Sequence, residues 1–593
     1  GPNCQGVINL HPEMIASFTP ALAIEQLTPG HIGFVSQSGA FAGSIFNFAQ
    51  QRRIGLSRWV SIGNQADLDV WDCFADMVKD ENTWILGGYC EGIKDGRKMM
   101  DVAEMALEAG KPIILLKGGL SERGAKAALS HTGSIAGSAA VAKAVLAQKG
   151  IIRVDGVEEA FDFATVFDEV RKPAKDGIGI LTTSGAAGVL MTDRCEAYGL
   201  HLAPLTEKTK EKMKAALPDF GSVVNPVDMT AQMINEPEIF GRSLDIFLED
   251  ETIGTVVIMF TMVNLELADY CAAKIVEVVP KVNKPVLMCW MATKMADTQM
   301  EIVRKEKIPI FETPYRCIRA VNALVKYNEF RDNWLKAKES ERARGVGKPV
   351  QKSAEASSLI ASAASSAAQR EDGRRVLTEL ETYPILKAYG ISTPKGRLAR
   401  DEAEALAIAR EIGYPVVAKI ESPDILHRSD ARAIQLGIQT PDELKKAFAQ
   451  IMENSKRYNP KARLKGVSVL EMLPGGGVEC IVGTLRDADF GWTVMFGLGG
   501  IFVEVMRDVS MRAIPLKPYE AEGMIKEVKG YEVLKGIRGR EPADVPALTH
   551  LLLGISRLLE ECGDRITEFE INPLIVLPKG GGAIAADCLM VLK

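Results

Sequence analysis

The segment AALSHTGSIAGS, residues 127–138, carries one of only six histidines in a chain of 593 residues. His131 stands between Ser130 and Thr132, with Gly133, Ser134, Gly137 and Ser138 close behind. A lone histidine is more often a surface or satisfied interior residue than a catalyst, but these neighbours are too small and polar for a core. An imidazole that accepts a phosphoryl group needs exposure, a backbone that can adjust, and donors for the phosphate oxygens. Ser130, Gly133 and the small residues around them supply those conditions. Glu91, in GYCEGI, could accept a hydrogen bond from one ring nitrogen and leave the other as nucleophile. The bland alternative for Glu91 is an exposed loop acid. VSQSGA, residues 35–40, offers hydroxyl, amide and unhindered N–H donors from Ser36, Gln37, Ser38 and Gly39 at a helix start. Phosphate is the natural guest of such a turn. The competing reading is a simple capped helix.

These residues can act together only if strand ends bring them together. From about residue 31 to 330, short β-branched runs alternate with longer amphipathic ones. HIGFVSQSGAF reads as a strand, a turn and a helix start. RWVSIGNQADLD, TWILGGYCEGI and KPIILLKGG supply three more strand edges, separated by helical stretches such as GRKMMDVAEMALEAG. Continuous apolar strands joined by helices predict a parallel, doubly wound sheet, whose ligands bind beyond the carboxyl ends of the strands. A second series begins at GIGILTTSGAAGVLMTDRCEAYG and continues through GTVVIMFTMV and KPVLMCWMA. The expectation is two separate α/β domains, 31–172 and 176–330. Residues 331–373, rich in Lys, Arg, Ser and Ala, read as a partly helical linker. From 374 to 593 the rhythm changes: DEAEALAIAREIG leads into YPVVAKIES, and Gly-rich hairpin signals follow at LPGGGVECIVG and FGLGGIFVEV. That mixture suggests an α+β nucleotide-handling domain.

Composition narrows the choice of partner. A net charge of −6 argues against a nucleic-acid surface or an anionic membrane. Ten cysteines lie far apart with no CxxC pair, which fits reduced thiols in a cytoplasm. Apolar runs such as TVVIMFTMV are too short to span a bilayer. No GxxxxGK[ST] loop is present, and TTSGAAG, residues 182–188, lacks the Pro-Lys of an AMP-forming ligase loop, so it reads as a tight α/β turn.

The motifs GPNCQGVIN, GFVSQSGA, SIGNQADLD, CEGIKDGRK and LSHTGSIAGS, in this order, resemble the nucleoside-diphosphate-forming acyl-CoA synthetases. These include the ADP-forming acetate–CoA ligases and, more distantly, the succinyl-CoA synthetases. The resemblance continues through NPVDMT, residues 225–230, to the C-terminus. It implies an α/β chain: two flavodoxin-like CoA-ligase domains with parallel sheets, then a C-terminal ATP-grasp domain. It implies that His131 is phosphorylated, that Glu91 orients it, and that Ser36, Gln37, Ser38, Gly39, Ser130 and Gly133 bind phosphate. In the ATP-grasp region Lys419 is expected at a nucleotide phosphate, and Glu471 and Met472 beside the base. EFEINPL and AIAADCL resemble the paired segments that hold magnesium, so Asn572, Asp587 and Glu570 are the expected Mg²⁺ ligands.

The activity so implied joins a carboxylic acid to CoA, with ATP converted to ADP and phosphate, through phosphohistidine and acyl phosphate. Within the superfamily a lyase outcome stays open. A non-catalytic sensor also stays open, because relatives often read HKSDxGGV where this chain has HRSDARAI, residues 427–434. Both glycines are replaced, so His427 either relays a second phosphoryl group or only lines the site. A cytoplasmic homodimer is expected. Residues 1–30 read as the remnant of a preceding CoA-binding domain and its connector.

Overall fold

In the computed structural model the apolar runs become sheet strands whose ends define the edges on which ligands can sit. Described residues are 2–23, 27–121, 123, 138–170, 172–261, 263–291, 293–343, 358–363, 369, 373–500, 508–537 and 539–593. His131, Ser130 and Gly133 lie outside them. The chain divides into one unit of residues 1–136 and 149–340 and a second of residues 137–148 and 341–593.

Two sheets build the first unit. Strands β1 (Gly6–Leu10), β2 (Glu13–Ser17), β3 (Pro29–Ser36), β4 (Leu56–Ser61), β5 (Ile85–Cys90), β6 (Ile113–Lys117) and β7 (Ile152–Val154) lie in the order β2-β1-β4-β3-β5-β6-β7. From β4 to β7 the pairing is parallel. Ser36 is level with Ser61 on one side and Tyr89 on the other, so three strands finish together and their loops share one edge. Residues 6–17, set apart in the sequence as connector, form an antiparallel hairpin that extends this sheet through β4. The second sheet runs β12-β11-β10-β8-β9, from β8 (Ile178–Thr182), β9 (Val227–Asp228), β10 (Thr255–Phe260), β11 (Val286–Trp290) and β12 (Ile310–Phe311). It is parallel throughout, and β8, β10 and β11 are buried at every residue, as strands covered on both faces must be.

The two sheets are not independent cores. Phe34, Phe46, Ile180, Met191, Val257 and Leu287 belong to one hydrophobic cluster, joined by Phe161 and Val321 from the helices Val157–Glu169 and Pro314–Ala343. The second helix continues past residue 330, into the stretch read as linker. Trp334 is buried there, and the Arg331 guanidinium donates to the Leu107 carbonyl at 2.8 Å.

The second unit is antiparallel. Its strands are β13 (Arg375–Leu377), β14 (Gly396–Ala399), β15 (Val416–Glu421), β16 (Ile434–Ile438), β17 (Gly466–Glu471), β18 (Val478–Asp487), β19 (Gly491–Leu498), β20 (Val509–Ala513), β21 (Ile566–Val576), β22 (Ala583–Ala585) and β23 (Cys588–Leu592). The smaller sheet is β14-β17-β15-β16, covered by Ile408, Leu444, Phe448 and Ile451 of the helices Glu402–Ile412 and Pro441–Tyr458. The larger is β13-β23-β21-β18-β19-β20, with β22 on β21. Helix Val545–Cys562 covers it with Leu548, Leu551, Leu552, Ile555, Leu558 and Leu559, a stripe at helical period.

Helix Ala139–Gln148 joins this second unit although it is far away in sequence. The Gln148 amide accepts from the Ala513 N–H at 2.8 Å and donates to the Ala513 carbonyl at 3.1 Å. At the other end the Ser138 N–H donates to the Asp487 carboxylate at 2.9 Å. Among the described residues no helix is long and apolar enough to cross a membrane.

Candidate active site

The first candidate site lies where β3 and β5 end. Ser36 is fully buried; its hydroxyl donates to the Ser38 carbonyl at 2.9 Å and accepts from the Ser38 N–H at 3.2 Å, which fixes the turn. Gln37 stitches the two strand ends. Its N–H donates to the Tyr89 carbonyl at 3.0 Å, and its side-chain oxygen accepts from the N–H groups of Glu91 and Gly92 at 2.7 and 3.2 Å. Among the described residues the buried Gln37 amide nitrogen has no hydrogen-bond partner, a donor at a helix start open to an acceptor. Ser38, the residue before helix Gly39–Gln51, makes no side-chain cap bond. Asp69, Asp95, Thr206 and Asn264 do cap their helices in the same unit. The first N–H groups of Gly39–Gln51 therefore stay unclaimed by a side-chain cap, as an anion cradle requires. Gly39 has no alternative: a Cβ there would lie 2.6 Å from the Asn3 carbonyl oxygen.

Glu91 is buried just beyond β5, not exposed on a loop. The Tyr89 hydroxyl donates to its carboxylate at 2.9 Å. Burial, and then the Glu91 charge, push the Tyr89 phenol well above its usual value, so it stays a donor. The Lys117 ammonium bonds the Glu91 carbonyl. Backbone and side chain of Glu91 are thus both held in place.

The second candidate site lies in the other unit, around β15. The Lys419 ammonium reaches the Glu379 carboxylate at 2.9 Å and the Ala586 carbonyl at 2.6 Å. Glu379 is fully buried on helix Glu379–Ala388 and also accepts from the Tyr383 hydroxyl. Asp587 receives Arg428: one guanidinium nitrogen lies 2.6 and 2.8 Å from its two oxygens. Arg428 also donates through Nε to the Ile420 carbonyl at 3.1 Å. Burial would lower the Arg428 pKa, but Asp587, Glu379 and Glu421 together hold it above its usual value. Asn572 sits beside Asp587, its N–H donating to the Asp587 carbonyl at 3.0 Å, and its amide nitrogen donates to Glu570 at 3.1 Å. Glu471 ends β17 with its carboxylate on the Lys395 N–H at 2.9 Å, and Met472 beyond it is 39% exposed. His427 is exposed in the turn after β15.

Three family models match this chain: a succinyl-CoA ligase like flavodoxin domain over residues 29–167, a Ligase-CoA domain over 178–333 and an ATP-grasp domain over 368–592. The ADP-forming acetate–CoA ligase I of Archaeoglobus fulgidus is 39% identical over all of this chain and 82% of its own length. The chain belongs to the ADP-forming acyl-CoA synthetases. The ADP-forming 4-hydroxybutyrate–CoA ligase of Nitrosopumilus maritimus is 34% identical over 99% of this chain and 81% of its own. Acetyl-coenzyme A synthetase 1 of Ca. Korarchaeum cryptofilum, solved in complex with phosphate and ADP, is 31% identical with a TM-score of 0.53. That match covers 57% of this chain and 72% of the other.

Two features of this synthetase were missed or undervalued in the sequence. TTSGAAG repeats the pattern of the SQSG turn, with Thr183 accepting one strand-end N–H where Gln37 accepts two. The Thr182 hydroxyl exchanges 3.0 Å bonds with Ser184, Thr183 N–H reaches the Met259 carbonyl at 3.1 Å, and the Thr183 hydroxyl accepts from Thr261 N–H at 3.1 Å. Ser184 makes no side-chain cap bond either. The shared S/T-x-S-G pattern was the available signal. Within NPVDMT, Asn225 is structural: its amide bonds Ile180 N–H and the Ile178 and Ala203 carbonyls. The second feature is Arg432, which stands in place of a glycine yet holds φ +49°, the left-handed conformation a glycine would have supplied.

Among the described residues no group of three or more His, Cys, Asp or Glu side chains could hold a metal. The oxygen set of Asp587, Asn572 and Glu570 still fits a hard, largely hydrated cation. Glu570 engages the nitrogen end of the Asn572 amide, which leaves its carbonyl oxygen for a cation.

Proposed function

We propose that the protein is an ADP-forming acid–CoA ligase that works through a phosphohistidine at His131. The observation that carries this reading is the uncapped start of Gly39–Gln51, with Gln37 tying it to the backbone of Glu91. An anion cradle and a fixed carboxylate are thereby built into one strand edge. In this reading the γ-phosphoryl group of ATP passes to an imidazole nitrogen of His131, and ADP leaves. Glu91 holds the other ring nitrogen, so the nucleophilic nitrogen keeps its lone pair. The phosphoryl group then passes to a substrate carboxylate, freeing the imidazole and forming an acyl phosphate. Attack by the CoA thiol on the acyl carbon expels inorganic phosphate and gives the thioester. Gln37, Ser38 and the Gly39 N–H stabilise the phosphate oxygens. Lys419 draws the nucleotide phosphate, and the strand end at Glu471 and Met472 lies beside the base. Asp587, Asn572 and Glu570 would hold Mg²⁺, which offsets the charge of the phosphates.

A sensor that has lost turnover is disfavoured. Its one support was the changed HRSDARAI loop, and Arg432 keeps the backbone conformation of the missing glycine there. The test uses the full chain with Mg-ATP. We expect an acid-labile, base-stable phosphoprotein, lost in His131→Ala and formed more slowly in Glu91→Gln. Screening carboxylic acids for CoA-dependent ADP release identifies the substrate, and analysis of the product separates ligase from lyase. Undiminished labelling of His131→Ala refutes the assignment.

A further inference from the structure

Glu421, the last residue of β15, adds a further carboxylate to the charge cluster around Arg428. It is 1% exposed, and among the described residues neither carboxylate oxygen has a hydrogen bond of good geometry. Burial pushes its pKa up to about 7 against the opposing pull of Arg428, Thr378 and Lys419. An acid so placed is costly unless a charge or proton reaches it in some state of the molecule. Lys419 and Glu421 are two apart on β15 and so share a face, the face on which Lys419 meets Glu379 and approaches Asp587 at 3.9 Å. Arg428 is the cation that lowers the Glu421 pKa most.

Arg428 meanwhile occupies both oxygens of Asp587. A guanidinium there takes a lone pair of each oxygen and already neutralises the carboxylate, so it competes with a divalent cation for Asp587. The guanidinium has a fixed pivot in its Nε bond to Ile420, the residue next to Glu421. We propose that Arg428 is a built-in counter-ion that holds Asp587 until metal and nucleotide arrive, and that Glu421 is the berth to which its guanidinium then withdraws. This rests on Asp587 being a metal ligand. It assigns Arg428 and Glu421 as positioning residues: they set when the metal carboxylate is available.

The test measures uptake of Mn²⁺, by the loss of its free EPR signal, on the full chain with and without ADP. Wild type takes up Mn²⁺ at this site only with ADP. Arg428→Gln takes it up without nucleotide at least tenfold more tightly than wild type, and Arg428→Gln combined with Asp587→Asn loses that gain. Arg428→Lys, which keeps the buried charge but loses the Nε bond to the Ile420 carbonyl that aims it at Asp587, shows a smaller gain and guards against misfolding of the glutamine variant. Glu421→Gln leaves metal-free ADP binding unchanged and weakens Mn²⁺ uptake with ADP about tenfold. If both Arg428 variants bind Mn²⁺ as wild type does, or Glu421→Gln leaves uptake with ADP unchanged, the proposal is overturned. Asp587→Asn that still takes up Mn²⁺ with ADP overturns instead the metal assignment on which it rests.

Discussion

Arg432 permits a quantitative test of how much the altered loop differs from its glycine-bearing relatives. Its φ of +49° places a β-carbon against the following carbonyl, at a cost of about 1–2 kcal/mol. Arg432→Gly removes that cost but adds unfolded-state freedom of about 0.5–1 kcal/mol. The net expectation is a gain of roughly 0.5–1 kcal/mol. Arg432 is exposed, so little packing is lost with its side chain. Arg432→Ala keeps the strain and should change almost nothing. The chain has several cores and need not unfold in one step, so local hydrogen exchange is the better assay. The reporters are the Ala433 N–H, bonded to the Arg428 carbonyl, and the Ile420 N–H, bonded to the Ala433 carbonyl, both at 2.9 Å. In Arg432→Gly both should exchange about two- to fivefold more slowly, and in Arg432→Ala at the wild-type rate. Faster exchange in the glycine variant, or equal slowing in both, refutes the strain argument.

Gln148→Ala strips both partners from the buried Ala513 backbone, so exchange at Ala513 should rise by an amount matching about 2–4 kcal/mol. Tyr89→Phe removes the donor that orients Glu91; phosphohistidine formation in single-turnover labelling should slow about tenfold with ATP affinity unchanged. Burial, with Asp168 beside it, pushes Glu169 up to about 7 from 4.5, so the folded protein favours its protonated form. That stabilisation is present below about pH 4.5 and is lost as pH rises through 7, to a limit on the order of 3 kcal/mol. In urea titrations at pH 5 and pH 8, Glu169→Gln should therefore flatten the decline of the unit that holds it.

What could be read from sequence followed from local pattern. Buried parallel strands such as TVVIMF are continuous apolar runs, and S-Q-S-G at a strand end announces a turn with free donors. The hairpin at residues 6–17 escaped because β2 is exposed at four of its five positions and carries no apolar alternation. The helical character past residue 330 was legible but its packing was not, because the surface there is charged and Trp334 is the one buried residue of 331–340. The pairing of Arg428 with Asp587 spans 159 positions, and no spacing rule connects them. The sequence departure at Arg432 was visible, but its outcome was not: tertiary contacts held the loop against the preference of the residue.

Helix Ala139–Gln148 also has a bearing on synthesis at the ribosome. Its Gln148 partner, Ala513, lies 365 residues downstream. At roughly 5–20 residues per second, about 20–70 s separate their emergence. During that interval the residues that will face β20 have no sheet to rest on, while the strands of the first unit on either side can already pair. The second unit cannot complete its edge from nascent C-terminal residues alone; it must recover a helix made much earlier. Cutting the chain at residue 340 would put that helix and β20 on separate polypeptides, so the edge would have to form between chains.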